Sequence, residues 1–407
     1  MARHLKERTA GTSPVGPTRA QLRKPVERAL VEGHPWIWRD ALAPFDARAG
    51  DVVTVLDRRG AVLAKGIADD GPIAVRVFAV QVLDGDGALD AALFRTRIES
   101  AATLRRRVVP PDTTAYRLLH GEGDRLPGVV CDVYGEHAVL AFDGQGASAW
   151  RDVVVDGLRP VLDGLGVTSL LLRIGRGDRR AVTAAYGEVP GDPIEVRERG
   201  MRLLVDLVHG QKTGLFLDHR ESRRRVREIA GGLRVANLYA YTGGFSVAAG
   251  LGGATRVTTV DVAPPAIELA RATWMRNELD AERHHAVVAD VPKWLGAARV
   301  RGDRYGLVIA DPPSFAPSET TLPAALDSYR ALHAASLALV EPGGIYLAAS
   351  CSSHVTMAAF EDTLRAGARQ AKRVLQVLSR TGAPEDHPRL LGFPEGDYLK
   401  VLLTRVV

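Results

Sequence analysis

The rhythm of apolar and polar positions changes near residue 195. Downstream, β-branched apolar runs at 233–239, 256–262, 284–290, 305–310 and 343–351 alternate with other stretches. In those, at 245–252, 264–279, 322–339 and 355–371, apolar residues recur every three or four positions. Strand-like runs separated by helical periods predict a parallel sheet with helices on both faces. Runs at 373–379 and 398–406 add two closing strands.

Upstream the pattern differs. From Val52 to Ala79, short β-branched runs are broken by Asp-Arg-Arg-Gly and Asp-Asp-Gly-Pro, which predicts a small antiparallel β unit over 23–79. Helical spacing with a basic face at 89–108, strands within 128–142, a helix at 148–164 and a strand at 168–174 make a mixed α/β unit over 80–192, closed by Gly-Asp-Pro at 191–193. Residues 1–22 lack a periodic apolar pattern and read as a flexible tail, leaving 193–407 as the third unit. Three units agree with 407 residues, more than one hydrophobic core usually organises.

Composition narrows the class. A 46% hydrophobic and 25% charged content describes a globular protein. Two cysteines cannot frame a disulfide scaffold, and paired zinc spacings are absent, so no metal is expected and the compartment reads as reducing, hence cytoplasmic. No apolar run reaches the roughly 20 residues that span a bilayer. The net charge of +5 and the arginine clusters 105–107 and 223–225 suit an anionic partner, although solvated helix faces would show the same runs.

In an open α/β sheet, ligands bind beyond the carboxyl ends of the strands, so the loops after the strands are the place to look for chemistry. The first loop, 237–246, turns through Gly243 and Gly244, where the backbone can approach a ligand at a helix N-terminus. Asp261 ends the next strand at the distance expected of a ribose-binding carboxylate, and it equally suits capping ahead of Pro264 and Pro265. Asp290 ends the third strand. Asp311 precedes a rigid Pro-Pro pair that suits the polar edge of a base. Cys351, in Ser-Cys-Ser-Ser-His, reaches the same edge. A free cysteine is commonly an inert core residue, but here it can act as a nucleophile, given a lowered pKa or a nearby base, and helix N-termini could help.

Seven ordered segments carry a resemblance. They are Gly-His-Pro-Trp-Ile-Trp at 33–38, Tyr-Arg-Leu-Leu-His-Gly-Glu-Gly-Asp-Arg-Leu-Pro-Gly at 116–128, 209–220, 237–246, 311–315, 350–352, and Asp-His-Pro at 386–388 followed by 394–400. Together they resemble the PUA-domain-containing bacterial ribosomal RNA methyltransferases of the RlmI type, which methylate cytosine C5 in large-subunit rRNA. The resemblance implies an α/β fold with an N-terminal PUA-like β barrel, a central α/β domain and a C-terminal seven-stranded Rossmann-like class I methyltransferase domain.

It further implies S-adenosyl-L-methionine as cofactor and large-subunit ribosomal RNA as partner. Residues 212–220 would close over the cofactor, with Phe216, Asp218 and Arg220 near it. Asn237, Tyr239, Tyr241, Thr242, Gly243 and Gly244 would hold the methionine portion, Asp261 the ribose and Asp290 the adenine amino group. Asp311 would meet the target base and Cys351 would be the nucleophile. Ser314 stands where another group of RNA cytosine methyltransferases has a second cysteine, which the RlmI type also lacks, so resolution of an adduct is not readable. Trp36 and Trp38 could stack bases, but packing in the β core is the simpler expectation; the RNA-binding expectation rests on the PUA-like domain and the basic helix at 95–107. Rival readings are a methyltransferase for a guanine or adenine nitrogen, an RNA-binding assembly factor without turnover, and a small-molecule methyltransferase. The sequence leaves open whether the chain forms a homodimer.

Overall fold

The computed structural model describes residues 18–175, 181–316 and 318–407. Its first sheet has the order β1-β3-β4-β5-β2, formed by β1 (Thr18–Gln21), β2 (Trp36–Trp38), β3 (Val52–Leu56), β4 (Val62–Ala68) and β5 (Ile73–Val80). The tail expected at 1–22 is therefore too long: residues 18–21 pair in parallel with 53–56, and 1–17 lie outside the described residues. Four residues with one buried apolar position give too weak a period to read; β3 supplies the partner. Beyond β1 and β2 the chain meets again, with the Arg23 N–H donating to the Ala41 carbonyl and the Ala43 N–H to the Gln21 carbonyl, each at 2.8 Å.

Register in β2 overturns the expectation for its indoles. Ile37 enters the β core, so the alternation of a strand turns Trp36 and Trp38 outward. Trp38 is 42% exposed, whereas Trp36 donates to Glu122 Oε1 at 2.8 Å and packs edge-on against Phe393, 4.6 Å between centroids. Trp36 thus touches all three parts of the chain.

The second sheet, β10-β9-β8-β7-β6, uses β6 (Ala115–His120), β7 (Val129–Tyr134), β8 (His137–Phe142), β9 (Ser169–Ile174) and β10 (Ala181–Tyr186). Helices Ala91–Val108 and Arg151–Gly164 pack on it, the first capped by Asp90 accepting from the Leu93 N–H. A hairpin missed in the sequence, β11 (Ile194–Glu198) with β12 (Met201–Val205), follows. One apolar cluster runs from Tyr134, Val139 and Leu171 through Val196 and Leu203 to Val235, so the central unit and the third share a core.

The last sheet has the order β15-β14-β13-β16-β17-β19-β18. Its strands are β13 (Arg234–Leu238), β14 (Arg256–Asp261), β15 (His284–Val288), β16 (Tyr305–Ala310), β17 (Val340–Ser350), β18 (Leu375–Thr381) and β19 (Lys400–Val406), of which only β19 runs antiparallel to its neighbours. Alternate residues face two different cores: Val235, Leu307 and Ile309 on one side, Ala236, Leu238 and Val308 on the other. Burial on both faces explains the continuous apolar runs. Strand order reverses between β13 and β16, which opens a cleft at the carboxyl ends. Among the described residues no helix is long and apolar enough to cross a membrane.

A buried ionic network ties the units together. Asp386 accepts two hydrogen bonds from Arg220, at 2.8 and 2.9 Å, one from the Arg117 N–H at 3.1 Å and one from His387 at 3.0 Å. Arg105, from the first long helix, donates to the Asp386 carbonyl and grips Asp124 through both terminal nitrogens. Burial pushes the Asp386 carboxyl up, but the His387 hydrogen bond and the Arg220 charge outweigh it and hold it below the ordinary range. Removing one partner strands the other charges in a dry site. Asp386→Ala is expected to cost about 3–5 kcal/mol at pH 7, read as a lowered unfolding midpoint. Because the folded carboxyl titrates below its unfolded value, the stabilisation is full above about pH 4 and fades as pH falls further. The gap between variant and wild type should therefore shrink in acid.

Candidate active site

The carboxyl ends of β13 to β17 and the 211–219 segment enclose one cavity. Phe216, Asp218, Tyr239, Tyr241, Thr242, Gly244, Asp261, Asp290, Asp311 and Cys351 all line it. After β13 the loop is bent tightly: Tyr239 and Tyr241 take positive φ values of 56° and 49°, which non-glycine residues seldom adopt and which cost energy. Two contacts hold that bend. Asp261 Oδ2 accepts the Tyr241 N–H at 2.8 Å, and the Tyr241 hydroxyl accepts from the Gln211 N–H at 2.8 Å while donating to the Gly214 carbonyl at 3.0 Å.

Asp261 is thus a brace between two loops rather than a helix cap; its Oδ1 accepts from the Ala263 N–H at 2.9 Å, and the helix Pro264–Arg276 has Ala263 at its N-cap. Asp290 caps Val291–Arg301 through the Lys293 N–H at 3.1 Å. Tyr239 lies near Asp290, and burial together with that carboxylate pushes its phenol up to about 12. On the opposite wall, Asp218 is buried, and its Oδ2 accepts from Lys212 at 3.0 Å and from the Tyr398 hydroxyl at 2.9 Å. Its Oδ1 has no partner. Burial alone would raise this carboxyl; Lys212 and the nearby histidines hold it well below the ordinary range, so it stays anionic.

Asp311 and Cys351 occupy the ends of neighbouring strands, β16 and β17. Their loops are stitched by a 2.8 Å hydrogen bond between the Ser314 and Ser352 hydroxyls and by the Tyr329 hydroxyl, 2.8 Å from Ser350. Ser314 therefore has a structural task at the position where a second cysteine could have stood. Lys400 is buried and donates to the Ser352 and Tyr398 carbonyls; burial lowers it to about 8. Of the two routes expected to activate Cys351, a lowered pKa or a nearby base, the surroundings do not supply the first. Burial first, then Asp311 and Asp218, push the thiol up, and Lys212 only partly counters them.

Three of the expected residues are not brought to the cavity wall. Arg220 is consumed by Asp386. Asn237 is buried beneath the loop, donating to the Ser246 hydroxyl at 2.9 Å. Gly243 backs onto Ala270, where an added Cβ would come within 2.8 Å, so its glycine serves helix packing and a φ of 78°. Conversely, His219 and Arg223 line the cavity, although the sequence reading covered them only within the 212–220 segment and the 223–225 cluster and gave neither a role of its own. Their i, i+4 spacing at the start of Arg220–Ile229 puts them on one face, a signal that was present in the sequence.

The arginine clusters also change meaning. Arg97 is buried and donates to the Phe78 and Arg125 carbonyls, and Arg105 belongs to the interdomain network, so the helix at 95–107 keeps only part of its basic face. Arg223 pairs with buried Glu198 at 2.6 Å, while Arg224 and Arg225 pair with Glu228.

Comparison with known proteins agrees with this arrangement. A family profile described as S-adenosylmethionine-dependent methyltransferase matches residues 167–405, and a PUA-like domain profile matches 20–79. Ribosomal RNA large subunit methyltransferase I of Klebsiella pneumoniae (strain 342) is 34% identical over 396 residues, 96% of this chain and 98% of that protein. Its Escherichia coli (strain SMS-3-5 / SECEC) counterpart is 33% identical over 96% of this chain and 99% of its own. Among solved structures, a methyltransferase complexed with SAH superposes with a TM-score of 0.85 at 25% identity, covering 95% of this chain and 100% of that one. On fold, cavity and sequence together, the chain belongs to the S-adenosylmethionine-dependent methyltransferases, in the family of ribosomal RNA large subunit methyltransferase I.

Proposed function

We propose that this protein methylates C5 of a cytosine in large-subunit ribosomal RNA through a covalent Cys351 adduct. The observation that carries the reading is the placement of a cysteine and an Asp-Pro-Pro loop on adjacent strand ends of one cavity. Cytosine C5 is a poor nucleophile until a thiolate adds to C6, and few other methyl acceptors need a thiol there. The RNA part rests on the names of the relatives and on the PUA-like segment. The target base must leave its stack to reach an enclosed site.

The residues present fit the cofactor. The anionic Asp218 offers an unpartnered buried Oδ1 that suits a cationic amino group. Asp261 and Asp290 end adjacent strands, where they suit ribose hydroxyls and a ring amine. With strands about 4.8 Å apart, Asp290 and Cys351 are separated by roughly 19 Å across the sheet, room for an elongated ligand and a base in line. When bound, S-adenosylmethionine supplies a methyl group on a sulfonium sulfur. Asp311 holds the polar edge of the base, and Cys351 forms and releases the bond to C6.

Labelled methyl transfer to unmodified large-subunit rRNA followed by nucleoside analysis should give 5-methylcytosine with wild type and none with Cys351→Ala. Methylation that persists in the variant on a base nitrogen would replace this reading with the non-covalent one. Asp218→Asn should weaken S-adenosylmethionine binding by about 10–100-fold in calorimetry, as expected for loss of a charge-assisted hydrogen bond worth about 1.5–3 kcal/mol. Unchanged affinity would remove Asp218 from the binding site.

A further inference from the structure

A nucleophile whose thiol is pushed up must lose its proton to a neighbour, and the cavity contains few takers. Asp218 is engaged by Lys212 and Tyr398 and held strongly anionic; Arg223 is a cation paired with Glu198; Lys212 is committed to Asp218. One pair remains. His219 Nε2 lies 3.2 Å from Asp311 Oδ2, and both residues line the cavity with Cys351. His219 is 2% exposed, and its ring packs edge-on to Phe245 at 5.3 Å. At that distance a protonated imidazole would pair with the carboxylate, and Nδ1 is buried without a partner.

We infer that His219 is a positioning residue that acts through Asp311, making the two a proton-holding pair that takes the Cys351 proton and delivers it to the target base. The inference rests on the cytosine C5 reading. As the Sγ–H bond breaks, its proton passes to the carboxylate of Asp311, steadied by His219, and from there to ring N3. The sulfur electron pair forms the Sγ–C6 bond, and the C5–C6 π pair forms the new C5–methyl bond as the methyl group's bond to its donor sulfonium breaks and leaves its pair on that sulfur. Loss of the C5 proton to water then restores the double bond and breaks Sγ–C6, while the pair returns the N3 proton to sulfur. One proton is released per methyl transferred.

The groups facing the pair and the thiol are Asp218 and Lys212 from the preceding segment, Arg223 from the following helix, Cys351 from the end of β17, Tyr329, whose hydroxyl is bonded to Ser350, and Lys400, which donates to the Ser352 and Tyr398 carbonyls. None of them substitutes for it. His219→Gln keeps a polar side chain beside Asp311 but cannot hold a proton there. A thiol that must then ionise unaided reacts in proportion to hydroxide, which gives a signature no packing defect imitates.

The experiment follows adduct formation with RNA carrying 5-fluorocytosine at the target, together with steady-state 5-methylcytosine formation, from pH 6 to 9. Wild type, whose thiol proton passes to the pair and not to hydroxide, should vary by less than about threefold across this range. His219→Gln should be slower by about 10²-fold at pH 7 and should recover about tenfold per pH unit towards pH 9, with S-adenosylmethionine affinity within about threefold of wild type. Asp311→Asn, which preserves shape, should show the same alkaline recovery and guards against a folding defect in the histidine variant. A deficit constant at every pH in both variants overturns the proton-holding pair while leaving the C5 reading intact. Absence of any adduct or 5-methylcytosine from wild type overturns that reading and this inference with it.

Discussion

Asp132 lies wholly buried in β7, shared between the Arg117 guanidinium and the Thr213 hydroxyl. Through that hydroxyl the central sheet holds the 211–219 segment, and Tyr134 adds a second anchor by bonding to Thr213 and accepting the Leu215 N–H. The segment has little regular structure of its own beyond a short turn at Leu217–His219. It nevertheless supplies Lys212, Phe216, Asp218 and His219 to the cavity. The geometry of that wall is therefore dictated from outside the methyltransferase sheet, and the central unit is part of the active site's architecture.

The same logic explains the arginines. Arg76 is buried where the first sheet meets the second, bonded to Asp69, Glu122 and Asp143; Arg105 and Arg220 converge on Asp386; Arg223 meets Glu198. A guanidinium can satisfy several acceptors in one plane, which suits it to junctions between units. Such pairs add less net stability than their number suggests, since desolvation offsets most of the attraction. Their effect is on register: each leaves an uncompensated charge if the units shift.

How much of this could be read in the sequence depends on the range of the interaction. The parallel sheet was legible because both faces of β13, β16 and β17 are buried, which writes apolar runs into the chain. Asp261, Asp290, Asp311 and Cys351 were legible because each ends a strand, and strand ends converge by topology alone. Arg220 was not, because its partner lies 166 residues away and its identity suits a ligand equally well. Trp36 and Trp38 misled because the register of a three-residue strand is set by pairing with β5, not by composition. The hairpin at 194–205 alternates buried and exposed residues with charges on its outer face, and that short period was hidden by the change of pattern around it.

Cys351 shows why residue type and position do not settle reactivity. The end of β17 brings the thiol to the cavity wall, yet the surroundings that shape the cavity also favour its neutral form. A permanently ionised thiolate would be open to oxidation and stray alkylation, since thiolate character governs both. A neutral thiol beside a pair able to take its proton is inert until a base fills the space between them. On the proposed mechanism, burial thereby confines the reactivity of the thiol to the complex in which Asp311 has a base to hold.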